Sequence, residues 1–154
     1  MKKSLLLVMA LVALSQAAEL KKVSFEEYLL KFDYKERSEM KIRTPDMLAL
    51  VEENKALLVD IRFPDEYEAW HIAGSINIPL NELPKRLGEL PKDKLIITAC
   101  PHNDRSNMAR IYLTLNGYHA KYLNDGLLRV ADFLRGENAK DYLDEYKANH
   151  KAKK

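Results

Sequence analysis

Short apolar runs alternate along the chain with segments in which apolar residues recur at helical spacing. The runs at residues 57–61, 76–78, 95–99 and 119–123 predict strands, because buried strands of a parallel sheet are apolar on both faces. Helical spacing predicts helices at residues 25–34, from residue 44 onward, and at 81–87, 106–116 and 127–134. This alternation predicts an α/β domain with a central, mainly parallel sheet flanked by helices.

Signals at both ends of this core divide the chain into four parts. Ser24 and Glu27 form a capping box that opens an N-terminal leading helix, whose apolar face is predicted to pack on the domain. Residues 35–43 are charged without a clear period and predict a linker, and Thr44 and Pro45 predict the N-cap and first turn of the next helix. The predicted parts are a signal peptide at 1–17, the leading helix and linker at 18–43, the main domain at 44–136, and a charged helix or tail at 137–154.

The first residues have the pattern of an export signal. Lys2 and Lys3 precede an uncharged run at residues 5–14, and Ser15 and Ala17 are small residues at the −3 and −1 positions of a cleavage site. The run is shorter than the ~20 residues that span a bilayer, so we expect cleavage, a periplasmic or secreted protein, and no stable membrane anchor. An uncleaved membrane tether is the alternative. Cleavage would remove two lysines from a chain of net charge +2 and leave no net formal charge.

The composition excludes several classes of protein. Hydrophobic residues make up 47% of the 154 residues, which is enough for one core and excludes wholesale disorder. The 25 basic and 23 acidic residues nearly balance, which argues against a nucleic-acid partner. The single cysteine excludes an internal disulfide framework and a multi-cysteine zinc site, and the four histidines lack helical ligand spacing, so no metal is expected.

The single cysteine stands at a position suited to chemistry. Cys100 directly follows the predicted strand at 95–99, and a loop of five residues separates it from the helix predicted to begin at Ser106. Such a loop points backbone N–H groups inward, and the helix N-terminus adds partial positive charge, so a sulfur anion is stabilised there. Arg105 and Arg110 are expected to add positive charge nearby. Because sites in open α/β sheets lie at the carboxyl ends of strands, Cys100 is the candidate nucleophile.

Four motifs, in this order and spacing, resemble those of the rhodanese family. The segment 57–62 (LLVDIR) is similar to the family's hydrophobic run followed by D-V-R, and the segment 66–79 (EYEAWHIAGSINIP) is similar to its E-[YF]…G-H-I-x-G-A-x-N-I-P motif. Cys100 followed by Arg105 and Ser106 matches the family's active-site loop, and residues 117–126 match its late strand and turn. The resemblance covers about residues 44–136 and implies the rhodanese-like fold.

The same resemblance implies sulfane-sulfur transfer by covalent catalysis at Cys100. The thiolate would take sulfur from thiosulfate, a polysulfide or a persulfide, and the loop residues would hold the resulting cysteine persulfide. Those loop residues are Pro101, His102, Asn103, Asp104, Arg105 and Ser106. The acceptor would be a thiol, cyanide or a protein, through exchange steps like those of disulfides, and no cofactor is implied.

The loop departs from the family pattern in ways that bear on activity. Pro101 has no N–H to donate to a persulfide. Asn103 stands where many members have glycine, and asparagine tolerates the left-handed conformation better than most residues. Asp104 places a negative charge among the residues that would surround thiosulfate, and is expected to weaken its binding. The related phosphatase branch is disfavoured, because its loop is one residue longer and would place the arginine at position 106. In this chain position 106 is Ser106, and the arginine is Arg105.

Several other residues are interpreted as supports. Asp60 and Arg62 are expected to form a structural charge pair beneath the loop, and His71 to brace two loops by hydrogen bonds. His102 either contacts a substrate or is solvated. Trp70 replaces the glycine that usually precedes His71, and extra apolar burial is the physical effect expected of it.

Three functions remain open from the sequence. The first is an exported sulfurtransferase, which the intact Cys100 and Arg105 favour. The second is a non-catalytic rhodanese-like binding module, which Pro101 and Asp104 keep open. The third is a periplasmic thiol sensor, in which Cys100 would pass through sulfenic acid to a mixed disulfide with a partner, because the chain supplies no second cysteine.

Overall fold

The computed structural model describes residues 21–151, so the predicted signal peptide at 1–17 lies outside the described residues. The helices are α1 Phe25–Leu30, α2 Tyr34–Glu39, α3 Thr44–Glu52, α4 Pro64–Ala69, α5 Leu83–Arg86 (followed by a 3-10 turn, Leu87–Glu89), α6 Asp104–Leu115, α7 Gly126–Phe133 and α8 Glu137–Lys151. The strands are β1 Lys41–Ile42, β2 Ala56–Asp60, β3 Ile76–Asn77, β4 Leu95–Ala99 and β5 Ala120–Leu123. Within 21–151, no helix is both long and apolar enough to cross a bilayer.

The strands form one sheet in the order β1-β5-β4-β2-β3, and every pairing is parallel. The predicted α/β class with a central parallel sheet is therefore confirmed. The two longest strands, β2 and β4, pair along their whole length and end side by side at Asp60 and Ala99. Consequently the segment after β2 and the loop that begins at Cys100 leave the same edge of the sheet.

Helices cover both faces of the sheet and enclose two apolar clusters. On one face, α3, α7 and α8 contribute Met47, Leu127 and Tyr142 to a cluster around Leu58 and Ile97. On the other face, α5 and α6 contribute side chains to a second cluster that includes Cys100; these are Leu83, Ala109 and Leu113. Each fully buried side chain of this size contributes about 1.5–3 kcal/mol, so the sheet is anchored from both sides.

The predicted charged helix at the C-terminal end exists as α8 and is part of the fold. The Tyr142 hydroxyl donates a hydrogen bond to the Ala73 carbonyl at 2.6 Å, and the Tyr146 ring packs on Gly74. Gly74 has a φ of +84°, and a Cβ there would lie 2.5 Å from the Tyr146 ring. The glycine therefore lets α8 approach the segment between α4 and β3.

The N-terminal segment differs from the prediction. The leading helix α1 ends at Leu30 rather than near residue 34, because Asp33 caps a new helix by accepting the Glu36 backbone N–H at 2.8 Å. The predicted linker at 35–43 is wrong, since it holds most of α2 and the strand β1, which pairs with β5. The apolar face of α1 remains mostly exposed, and its contact with the domain runs through the Tyr28 hydroxyl.

Three further differences concern the starts of helices. Thr44 does not cap α3 with its side chain: its backbone N–H binds the Asp125 carboxylate at 3.2 Å, and its buried hydroxyl finds no hydrogen-bond partner among residues 21–151. The helix α4 was not expected; Pro64 stands in its first turn, and Glu66 accepts the Phe63 backbone N–H at 3.1 Å. The helix α6 begins at Asp104, two residues before the predicted start.

Candidate active site

Cys100 is buried at the carboxyl end of β4, where the first turn of α6 faces its sulfur. The Ser106 backbone N–H donates to Cys100 Sγ at 3.4 Å. The first backbone N–H groups of a helix have no partner within the helix and carry partial positive charge. Backbone N–H groups at the start of α6 therefore stabilise an anion at the sulfur, and no charged side chain is needed for this effect.

The backbone of the loop is fixed by the start of α7. The Leu127 N–H donates to the Cys100 carbonyl at 2.9 Å, and the Leu128 N–H donates to the Pro101 carbonyl at 3.4 Å. Gly126 precedes them with a φ of +73°, and a Cβ at this position would lie 2.2 Å from the Pro101 carbonyl oxygen. Two carbonyl groups, which would repel a sulfur anion, are thus held toward α7.

Asp104 brings a carboxylate to the same sulfur. Its Oδ1 lies 3.5 Å from Cys100 Sγ, at the distance of a hydrogen bond from the thiol. Hydrogen bonding from the Arg105 backbone N–H, followed by the contact with Cys100, lowers the pKa of Asp104 below its ordinary value. The negative charge expected in the loop from the sequence is therefore present against the sulfur.

Arg105 lies at the junction of loop and helix, and its side chain is held by Glu66 of α4. Its Nη1 lies 2.7 Å from Glu66 Oε2 and its Nη2 lies 2.9 Å from Oε1. The guanidinium, with smaller contributions from the Phe63 N–H and Arg62, lowers the pKa of Glu66 to about 2. The pair ties α4 to the active-site loop, so the Arg105 charge is not free for a substrate anion. Glu66 belongs to the motif that resembles the family's, but the sequence alone assigns it no role; the available signal was Pro64 followed by two acidic residues, a pattern typical of a first helical turn.

The charge pair of Asp60 and Arg62 is present and buried beside the loop. Arg62 Nη2 lies 2.6 Å from Asp60 Oδ2 and also donates to the Trp70 carbonyl at 2.7 Å. The Trp70 ring stacks on this guanidinium at 4.4 Å, so Trp70 supplies a cation–π contact rather than the extra apolar burial expected of it. The Asn77 amide spans the carbonyls of Asp60 and Arg62 and holds this turn in place.

Comparison with known proteins connects this geometry to a family. The family model for the rhodanese-like domain matches residues 44–132. This chain belongs to the rhodanese-like family.

Relatives of this rhodanese-like chain include proteins with assigned activity. It is 30% identical over 89 residues to the thiosulfate sulfurtransferase GlpE of Pseudomonas syringae, covering 58% of this chain and 84% of that protein. It is 43% identical over 63 residues to the uncharacterized protein YqhL of Bacillus subtilis, covering 41% of this chain and 50% of YqhL. The chain thus spans about half the length of YqhL.

A solved structure supports the fold assignment. The rhodanese-related protein of Thermoplasma volcanium has a TM-score of 0.56 and 28% identity, and the alignment covers 60% of this chain and 90% of that one. The rhodanese-like fold expected from the sequence motifs is thereby confirmed.

Arg110 and His71 do not make the contacts that the sequence predicted for them. Arg110 is buried, but it binds Glu36 and donates to the Tyr28 hydroxyl at 2.6 Å, so its charge serves the N-terminal segment rather than the loop. His71 is exposed and does not bridge two loops: its Nδ1 lies 3.0 Å from the carbonyl of Tyr67, four residues earlier, and the two rings stack.

Asn103 also differs, because its φ is −151° and no left-handed conformation is needed there. Its side-chain amide donates to the Asn124 carbonyl at 3.2 Å and joins the loop to the end of β5. His102 is exposed, and its role as a substrate contact stays a prediction. Ser106 is buried; its backbone N–H reaches the sulfur, and its hydroxyl donates to the Asn103 carbonyl at 3.1 Å.

The assembled site can stabilise a sulfur anion at one point. The first turn of α6 and the Asp104 carboxylate contact Cys100, and the ion pairs Asp60–Arg62 and Glu66–Arg105 hold the neighbouring segments. Among residues 21–151, no group of three or more potential metal ligands occurs. Such an arrangement suits a sulfur nucleophile that alternates between a thiolate and a persulfide.

Proposed function

We propose that this rhodanese-like protein is a sulfurtransferase that carries sulfane sulfur as a persulfide on Cys100. The observation that carries the proposal is the Ser106 N–H directed at Cys100 Sγ from the first turn of α6, at 3.4 Å. Relatives named thiosulfate sulfurtransferase support the general activity. The donor, the acceptor and the covalent steps belong to the proposal.

The reaction proceeds in two substitutions at sulfur. The Cys100 thiolate attacks the outer sulfur of thiosulfate, a sulfur–sulfur bond forms, and sulfite leaves with the electron pair of the broken bond. An acceptor thiolate then attacks the terminal sulfur of the persulfide, forms its own persulfide, and releases the Cys100 thiolate. Each step exchanges one sulfur–sulfur bond for another, so neither needs an oxidant or a reductant.

The surroundings of Cys100 assist both steps by favouring anionic sulfur. The partial charge of the α6 N-terminus stabilises the thiolate before attack and the persulfide afterward. The contacts of Gly126 and Leu127 with the loop keep its carbonyls turned away, so the loop does not have to rearrange when charge develops. Arg105 contributes by holding the loop against α4 through Glu66.

The test is the intact mass of the purified protein after incubation with thiosulfate or a polysulfide. We expect the mass of one added sulfur atom on the wild type, its removal by cyanide with release of thiocyanate, and no addition to Cys100→Ser. Serine is close in size to cysteine, so an unchanged circular dichroism spectrum would show that the variant is folded. Absence of the added sulfur with thiosulfate, polysulfide and a low-molecular-weight persulfide would contradict the proposal.

We further propose that the protein acts outside the cytoplasm, as a periplasmic or secreted protein. The proposal rests on the N-terminal pattern of Lys2 and Lys3, the uncharged run at 5–14 and the small residues before position 18. In that compartment, small sulfur compounds and exported thiol proteins would be the available donors and acceptors.

A further inference from the structure

Asp104 stands between the reactive sulfur and solvent. The sulfur of Cys100 is buried, whereas the Asp104 side chain that touches it is exposed. A donor that approaches the sulfur from the side of Asp104 meets this carboxylate within 3.5 Å of the sulfur.

The charge of Asp104 is not cancelled by the nearest guanidinium. Arg105 binds Glu66 through both terminal nitrogens, at 2.7 and 2.9 Å, and acts on Asp104 chiefly through its backbone N–H. Arg62 is likewise occupied by Asp60. A thiolate and an ionised carboxylate 3.5 Å apart repel each other, so the Asp104 charge opposes further negative charge at the sulfur.

We propose that Asp104 is a specificity-determining residue that disfavours anionic sulfur donors at Cys100 relative to uncharged ones. In the resting site its carboxylate lies 3.5 Å from the sulfur that the donor has to reach. A dianion such as thiosulfate has to enter against this charge, whereas a donor with an uncharged reacting sulfur does not. The favoured class is therefore the protonated persulfide of a thiol, RSSH: the Cys100 thiolate attacks its outer sulfur, RS⁻ leaves, and Cys100 retains the –SSH group.

That Asp104 selects among sulfur donors rests on the proposed sulfur transfer. The charge preference of Cys100 itself can be measured with thiol reagents, without any sulfur transfer. The chain has one cysteine, so any thiol label reports on Cys100 alone. Methanethiosulfonates carrying a 2-sulfonatoethyl or a 2-(trimethylammonio)ethyl group are similar in size and opposite in charge. With each, the thiolate attacks the sulfenyl sulfur, a mixed disulfide forms and methanesulfinate leaves. The ratio of the cationic to the anionic rate constant is independent of the thiolate fraction, and size matching controls for access to the buried sulfur.

We expect the cationic reagent to be favoured in the wild type, and the ratio to fall by about tenfold or more in Asp104→Asn. Asp93→Asn is the matched control, because Asp93 is an exposed carboxylate just before β4, at the opposite end of that strand from Cys100. It removes the same charge and should leave the ratio unchanged.

A ratio that differs by less than about twofold between the wild type and Asp104→Asn would overturn the inference, because a contact charge must discriminate by more than that. An equal fall in Asp93→Asn would also overturn it, since net charge alone would then explain the selection. The exposed position of Asp104 makes the variant tolerable for folding, and Asp104→Ala provides a second variant with the same expectation. If persulfide loading fails while the ratio falls as expected, the proposed function is wrong and the charge selection at Cys100 stands.

Discussion

Replacing Gly126 with alanine should uncouple α7 from the active-site loop. The backbone at this position has a φ of +73°, which costs a residue with a Cβ about 1–2 kcal/mol. The new Cβ would also lie 2.2 Å from the Pro101 carbonyl oxygen and 2.6 Å from that of His102, both of which are backbone atoms that cannot rotate away. The loop and helix must therefore separate.

That separation weakens the two hydrogen bonds from α7 to the carbonyls of Cys100 and Pro101. At about 1 kcal/mol for each bond, together with the cost of the backbone conformation, the free energy of unfolding should fall by about 3–4 kcal/mol. Gly136→Ala is the matched control, because Gly136 also has a positive φ, +56°, but a Cβ there would meet no described atom within 4 Å. It should lose about 1–2 kcal/mol.

Urea unfolding at neutral pH measures both losses, and thermal unfolding should show a melting temperature lowered by about 10 °C in Gly126→Ala and by about 3–6 °C in Gly136→Ala. Under conditions where both variants remain folded, the rate of sulfur loading should fall in Gly126→Ala and stay near wild type in Gly136→Ala. Equal losses of stability in the two variants would refute the reasoning, because the contact of Gly126 with the loop would then contribute nothing beyond its φ.

Three further predictions concern charge and export. Folding holds the pKa of Glu66 near 2, below its unfolded value, so the stabilisation by this carboxylate is complete above about pH 4.5 and is lost as the pH falls toward 2. In urea unfolding at pH 5 and pH 3, the free energy of unfolding should therefore fall by about 1 kcal/mol less in Glu66→Gln than in the wild type, a figure reduced because water screens the partly exposed pair. Asp104→Asn should raise kcat/KM for thiosulfate roughly tenfold and change transfer from a neutral donor less, and unchanged thiosulfate kinetics would count against the charge argument. N-terminal sequencing of the exported protein should begin just after Ala17, whereas a mature chain beginning at Met1 would contradict export by cleavage.

The central strands and the position of Cys100 could be predicted because their signals are local. The strand expected at 95–99 is present as Leu95–Ala99, since an apolar run of this length has no stable place except inside the sheet. Its end then determines where Cys100 lies. The N-terminal strand β1 could not be predicted, because two residues carry no periodic pattern and their strand conformation depends on pairing with β5, about 80 residues later in the chain.

Side-chain roles were harder to predict than elements, and Arg110 shows why. It follows Arg105 by five residues, which on a helix is a rotation of about 140°, so the two side chains point to different sides of α6. Proximity in sequence suggested a shared role at the loop, whereas helical geometry directs Arg110 toward Glu36. Glu66 was overlooked for the converse reason, because its partner Arg105 is 39 residues away in the chain.

The contact of Arg110 with Glu36 and Tyr28 means that the folded domain extends further toward the N-terminus than the segment that matches the family. The family match begins at residue 44, yet a protein cut there would lose Glu36 and Tyr28, the two side chains that pair with the Arg110 guanidinium in the intact fold. The same cut would remove β1 and leave β5 as an open sheet edge, to which a second molecule can add a strand. A shortened version for crystallography or protein engineering should therefore retain the residues from Val23 onward. The Val23 N–H binds the carbonyl of Leu115, the last residue of α6, whose first turn faces Cys100.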